Sequence, residues 1–289
     1  MPPIELTSHG FTACIAPFGA ELASLRDPQG REYLWQADPA IWPRHAPNLF
    51  PMVGRLNGDL LRHGGQTYPM KQHGFARDGT FEVMETGDDF VRLRLCDSQE
   101  TRARYPFAFE LEVAYRLEGG RLQVGYSVCN PGTEPLPVSL GGHPAFAWPL
   151  PDGGARSDHV VVFGQHEPGP IHRLSGGLLN PTALPTPVQD DRLPLSDDLF
   201  ADDALIWTQL ASRKVALVSP NGAQVAVTFD DFPMLGIWSK PGAHFVCLEP
   251  WQGHADTVGF AGDFADKPGV ALVAPGEERR WIMHIAVTP

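Results

Sequence analysis

Two histidines and a carboxylate stand in unusually rigid surroundings. His73 lies in Gln72-His73-Gly74-Phe75-Ala76-Arg77, His143 in Gly141-Gly142-His143-Pro144-Ala145-Phe146, and Glu249 in Leu248-Glu249-Pro250-Trp251. Glycine lets a backbone approach a ligand closely, proline fixes φ, and an aromatic ring offers a flat apolar wall. Histidine changes charge most readily near neutral pH. Glu249 follows the apolar run Phe245-Val246-Cys247-Leu248. A carboxylate in that position is partly buried or points into a pocket, and a buried carboxylate needs partners. Such a set suits proton transfer on a ligand with an apolar face, as an enzyme acting on a sugar would require.

Taken singly, each residue has a plainer explanation. His73 or His143 alone reads as a histidine satisfied by a backbone carbonyl, and Glu249 as half of a salt bridge with an arginine. Arg55 closes the apolar segment Asn48-Leu49-Phe50-Pro51-Met52-Val53-Gly54-Arg55; its guanidinium fork suits hydroxyl or carboxylate recognition or a structural ion pair. Asp203 precedes the apolar stretch Ala204-Leu205-Ile206-Trp207 and reads alone as a turn residue. The two key histidines have no HxH or HExxH spacing, so no metal site is expected. The chain also lacks a GxSxG elbow, a Walker loop and a GxGxxG loop. His254 lies near the Glu249 segment and could touch a ligand or merely hold a loop. His63, His159, His166, His172 and His244 read as surface or loop residues.

The elements that must position these groups read as β almost throughout. Val91, Leu93 and Leu95 alternate with Arg92 and Arg94, the pattern of a half-buried strand. Thr86-Gly87-Asp88 joins that strand to Glu82–Glu85 as a hairpin, and Glu118-Gly119-Gly120 joins Phe107–Leu117 to Arg121–Val128. Further strands are expected at 11–16, 160–163, 215–218, 224–229, 235–239, 245–248 and 280–287. Helical signal is confined to short turns near Pro39–Trp42 and Glu100–Tyr105. The 30 glycines and 29 prolines in 289 residues form no repeat, which fits many strands separated by turns. An all-β sandwich of large antiparallel sheets is therefore expected, as one domain over residues 1–289. The Pro-, Gly- and Asp-rich stretch Asp152–Asp198 reads as a long excursion on the sandwich surface, because candidate site residues lie on both sides of it.

A net charge of −12 disfavours nucleic acid as a partner. Without a long apolar run, a basic amphipathic helix or a leader pattern, no membrane association is expected, and a cytoplasmic location is. Cys14, Cys96, Cys129 and Cys247 form no CxxC pair and read as four reduced core cysteines.

The joint wording is more specific than any one residue. "NLFPMVGRL", "QHGFARD", "GGHPAFAWPL" and "LEPWQGHAD", in that order, resemble the aldose 1-epimerase, or galactose mutarotase-like, superfamily, and most nearly its shorter LacX-like branch. "FGAELASLRD" and "REYLWQADPAIWPRHAP" resemble that family's opening, so the likeness spans essentially the whole chain. The resemblance implies a β-supersandwich and the interconversion of α and β anomers of a free aldose without a cofactor. Residue by residue it implies Glu249 as general base, His143 as proton donor to the ring oxygen, and His73 as a hydrogen-bonding partner of the sugar. It further implies Arg55 and, more loosely, Asp203 as substrate-binding residues, with Trp238 as an aromatic ahead of the glutamate strand. Arg77, in the His73 motif, joins the binding candidates. The superfamily also contains hexose-6-phosphate 1-epimerases, whose phosphate would need extra cations such as Arg55, Arg77, Arg44 or Lys240. A fold does not fix a function, so a non-catalytic sugar-binding protein is the third alternative.

Overall fold

The computed structural model describes residues 2–289. Its largest sheet has nine antiparallel strands. In spatial order they are Arg192–Pro194, Val160–Phe163, Lys214–Val218, Gln224–Thr228, Glu278–Thr288, Arg121–Cys129, Glu110–Glu118, Phe90–Cys96 and Glu82–Thr86. A second sheet runs Leu205–Trp207, Met234–Trp238, Phe245–Gln252, Leu140–Gly142 and Asn48–Leu49, with Ala145–Ala147 also pairing to Phe245–Gln252. A three-stranded meander, Ile4–Ser8, Phe11–Ala16 and Glu21–Arg26, completes the main layers. Val91, Leu93, Val113 and Val124 of the first sheet share one apolar core with Leu235, Ile237, Val246 and Leu248 of the second. This is the large antiparallel sandwich that the alternating pattern dictates.

That pattern is visible at Phe90–Cys96. Val91 and Leu93 are buried, whereas Arg92 bridges Glu85 and Glu112 and Arg94 bridges Glu82 and Glu110 on the outward face. Cys96 shares the outward parity of Arg92 and Arg94 and is exposed, so it is not a core cysteine; Cys247 is buried, Cys14 and Cys129 are half-buried, and all four are free. The strand expected from Phe107 starts at Glu110. Before it, Tyr105, Phe107 and Phe109 are buried at every second position and pack as an aromatic cluster without belonging to the strand. The expected short helix forms at Gln99–Arg102, capped by Ser98.

The Asp152–Asp198 stretch is more than a surface excursion. It supplies the Val160–Phe163 and Arg192–Pro194 strands of the nine-stranded sheet, burying Val161, Phe163 and Leu193. His159, read as a surface or loop residue, is fully buried. Its Nε2 accepts the Leu150 N–H and its Nδ1 meets the Ala155 carbonyl, so backbone groups satisfy the polar ring. Among the described residues no helix is long and apolar enough to cross a membrane.

Candidate active site

The Phe245–Gln252 strand is buried along its whole length. Alternation divides it: Val246 and Leu248 enter the main core, while Phe245, Cys247, Glu249 and Trp251 face a separate layer of tryptophans and a cavity of about 250 Å³. The strand runs past the expected end at Leu248 through Glu249 and Pro250, because Met234–Trp238 pairs with it without a break on one edge, while its neighbour on the other edge is interrupted. Ala145–Ala147 pairs with residues 245–247, and Leu140–Gly142 pairs with 251–252. Pro250 lies opposite the break, where a residue without an N–H is tolerated. Gly236, paired with Glu249, makes room for the Trp251 ring, since a Cβ there would lie 2.4 Å from it.

The same break carries His143. It leaves the ladder between the two short strands, its N–H donates to the Pro47 carbonyl at 3.2 Å, and its Nε2 stands 3.1 Å from Oε2 of Glu249. Among the described residues, Glu249 Oε2 and His143 Nδ1 complete no hydrogen bond. Trp42 stacks on the imidazole at 5.1 Å between centroids, and Trp238 meets its edge at 5.9 Å. Sequence reasoning read Trp42 only as part of a turn. Its one signal was the setting Ile41-Trp42-Pro43, an aromatic beside a proline like the other motif frames.

His73 adopts φ of +65° and precedes Gly74 at +72°. Its backbone N–H donates to the Gly54 carbonyl at 2.7 Å, and the Gly54 N–H donates back to Nδ1 at 3.1 Å. Nδ1 is therefore the acceptor of a neutral ring, and Nε2, which stands 3.2 Å from the Gln72 side-chain amide, carries the proton. The two imidazoles sit edge to face, 5.6 Å apart. Arg77 closes this side: it lines the cavity and donates to the Gln72 carbonyl at 2.9 Å.

The cavity thus gathers His73, His143, Glu249, Arg77, Asp203 and Trp238, six of the seven residues picked from the sequence. Asp203, at φ of +67°, stands exposed on the rim, where Arg173 holds its carbonyl and its carboxylate caps the Ala204 N–H. Leu174, from the Asp152–Asp198 stretch, forms part of the wall. Arg55 is not in the wall; its guanidinium pairs with Asp59 at 2.6 Å on the outer surface. His254 lies behind the wall, with its carbonyl accepting from the buried Lys267 ammonium. Arg44 is engaged by Asp78 and the Arg77 carbonyl, and Lys240 by the Ile41 carbonyl.

Burial governs the electrostatics. It pushes the Glu249 carboxyl well above its ordinary range, with the nearby Asp203 charge adding to the effect. It pulls His143 down to about 3, His254 down to about 4, and His73 well below the ordinary imidazole value. The unfolded chain, with imidazoles near 6.5, binds protons more tightly at these three positions. Their contribution to stability is complete above that value and is lost as pH falls toward 4 and below, by up to about 2 kcal/mol per histidine at pH 5. Glu249 acts in the opposite sense, since a raised carboxyl stabilises the fold as pH falls. Asp256 is raised as Glu249 is, but His159 and His284 are lowered like the other three imidazoles, so the histidines outweigh the two carboxylates and the urea midpoint is expected to fall between pH 7 and pH 5, and less so in His254→Gln. A flat or rising midpoint would show that these rings are not buried neutral.

The model of the aldose 1-epimerase family matches residues 2–285. The chain belongs to the aldose 1-epimerase family. Among its relatives is the plasmid-borne protein LacX of Lactococcus lactis subsp. lactis, 35% identical over 283 residues, covering 94% of this chain and 95% of that one. A galactose mutarotase related enzyme from Lactobacillus acidophilus superposes with a TM-score of 0.92 at 35% identity, covering 99% of this chain and 97% of that one. A galactose mutarotase-like protein from Lactobacillus casei ATCC 334 gives 0.91 at 34% identity, covering 99% and 100% respectively. The family and its fold are those that the four sequence motifs implied.

Proposed function

We propose that this member of the aldose 1-epimerase family is a mutarotase, interconverting the α and β anomers of a free aldohexose. The observation that carries the reading is the Nε2–Oε2 approach of 3.1 Å between His143 and Glu249 on the wall of a tryptophan-lined cavity. Mutarotation takes the proton from the anomeric hydroxyl and gives one to the ring oxygen. C1–O5 breaks as C1=O forms, the C1–C2 bond rotates, and closure on the other face reverses the transfers. A catalytic pair must therefore hold one proton and offer one vacancy throughout. Burial, which raises Glu249 and lowers His143, favours that proton on Glu249, and a shift to His143 converts the neutral pair into carboxylate and imidazolium. Glu249 then serves as base toward the anomeric hydroxyl and His143 as acid toward O5. His73, with its proton on Nε2, donates to a sugar hydroxyl oxygen. Arg77 and Asp203 hold other hydroxyls, and Trp42, Trp238 and Trp251 supply apolar faces. Arg55 takes a place outside this set, near the mouth.

The test is the polarimetric decay of freshly dissolved α-D-glucose and α-D-galactose. Acceleration over the buffer rate is expected for at least one of them. Binding of both sugars without acceleration of either would favour a binding protein of the same fold.

One observation favours a second reading. Beside the sugar cavity, and sharing Gln72 with it, lies a groove of about 400 Å³ lined by Arg55, Lys71 and Arg104 with a single acid, Asp59. Asp59 pairs with Arg55 and Glu100 with Arg104, so Lys71 is the groove's cation without an ion pair among the described residues, and in a chain of net charge −12 it fits an anionic substituent such as a sugar phosphate. If the groove serves that purpose, kcat/KM for glucose 6-phosphate exceeds that for glucose by about tenfold or more, and Lys71→Ala with Arg104→Ala removes the difference at a cost of ~1–3 kcal/mol of charged hydrogen bonding. Equal values for the two sugars would leave the groove without a role in the reaction.

A further inference from the structure

Cys247 precedes Glu249 by two residues and therefore projects to the same side of the strand. One ligand atom each from His143, Cys247 and Glu249 lies within 4.8 Å of the other two, and all three residues are buried. Glu249 Oε2 and His143 Nδ1 complete no hydrogen bond among the described residues, so the pair retains donor capacity that the protein itself does not use. Both residues border the sugar cavity, which gives an ion entering from solvent a route to them. We propose that His143, Cys247 and Glu249 form a binding site for a borderline-soft divalent cation of the Zn²⁺ type, which on binding occupies the acid–base pair and silences it.

The chemistry of the donor set supports this. One imidazole nitrogen, one thiolate and one carboxylate oxygen are ligands that tetrahedral Zn²⁺ accepts together, with the fourth position left to water. At Zn–ligand distances of about 2.0–2.3 Å, tetrahedral ligands stand ~3.5 Å apart. The side-chain torsions of Cys247 and Glu249 must supply the last step from 4.8 Å. Charge also balances. A divalent ion joined to one thiolate, one carboxylate and one neutral imidazole has no net charge, so the complex escapes the penalty on a lone buried ion. Two protons leave as it forms: the thiol proton, because a coordinating thiol is deprotonated outright, and the single proton held by the His143–Glu249 pair. Hard cations such as Mg²⁺, which prefer six oxygens, do not fit. His143 and Glu249 both line the cavity, so an ion held between them stands where the mutarotase reading puts the anomeric oxygens.

The inhibitory consequence rests on the mutarotase reading, whereas the binding does not, and Co²⁺ as a spectroscopic probe separates the two. Titrating the metal-free protein with Co²⁺ is expected to give a thiolate-to-cobalt band in the near ultraviolet and strong tetrahedral visible bands, saturating at one equivalent and erased by Zn²⁺. Cys247→Ala, and separately Cys247→Ser, should lose the thiolate band, and the melting temperature of each should no longer rise with Zn²⁺. Saturating Zn²⁺ should slow wild-type anomer interconversion by about 10²-fold or more, the order of effect of removing positioned acid–base groups. Each variant should be slowed far less, relative to its own metal-free rate. Absence of the near-ultraviolet band in the wild type would overturn the proposal, as would a band that persists in both variants and so belongs to another thiol. A Co²⁺ spectrum of the expected form in a protein without metal-free mutarotase activity would instead overturn the functional reading and leave the metal site standing.

Discussion

Glu249→Gln is expected to lower kcat for anomer interconversion by roughly 10²–10⁴-fold, with sugar affinity largely kept. The amide is almost isosteric with the carboxyl and retains the packing against Trp251 and the strand register with Gly236. What it removes is the exchangeable proton of the carboxyl, which stands 3.1 Å from His143 Nε2. The imidazole alone can take or give a proton but cannot do both to two oxygens in one turnover. Stability should move the other way. Burial already disfavours the ionised carboxyl, as its raised pKa records, and that cost grows as pH rises above the unfolded carboxylate value of about 4.3. A neutral amide carries no such cost, so the urea midpoint of Glu249→Gln at pH 8 should equal or exceed the wild-type value. Single-wavelength polarimetry measures the first expectation and denaturant titration the second. A variant with undiminished turnover would place the base elsewhere, and one that unfolds at lower urea would show that the carboxyl also bears structure.

How much of this could be read from the sequence differs by layer. Long alternating strands such as Phe90–Cys96 and Arg121–Cys129 announced themselves because one face is apolar and the other charged or polar. Short strands such as Asn48–Leu49 and Leu140–Gly142 did not, because two or three residues carry no period, yet these hold the site together. The motif windows located His73, His143 and Glu249, since glycine and proline beside a titratable group mark a backbone bent for a reason. Trp42 was hidden because its role depends on stacking across the fold with His143. Arg55 stands outside the cavity wall for a local reason: Asp59 lies four residues on, and Gly58 with φ of +70° turns the chain so that the two side chains meet on the outer surface. His159 sits between a polar turn and an apolar strand in sequence, so nothing local marks it as buried, yet the Leu150 N–H and the Ala155 carbonyl satisfy both ring nitrogens in the core.

The backbone that aims His73 gives the other large effect. Gly74 has φ of +72°, and a Cβ built on it would lie 2.2 Å from the Phe50 carbonyl oxygen and 2.5 Å from its carbon. That carbonyl cannot retreat, because it accepts the N–H groups of both Phe75 and Ala76, at 3.0 and 3.1 Å. Gly74→Ala therefore combines a left-handed conformation, costing about 1 kcal/mol for a residue with a Cβ, with a backbone clash that only separation of the 50 and 74 segments relieves. A total loss of about 3–5 kcal/mol is expected, in the range reserved for overpacking and backbone strain. The displaced segment begins at His73, whose Nδ1 depends on the Gly54 N–H, so protein that remains folded should also bind sugar more weakly. Urea denaturation gives the first number and isothermal titration with the sugar the second. A loss below about 1 kcal/mol would mean that the two segments part easily, and that the placement of His73 owes little to this contact.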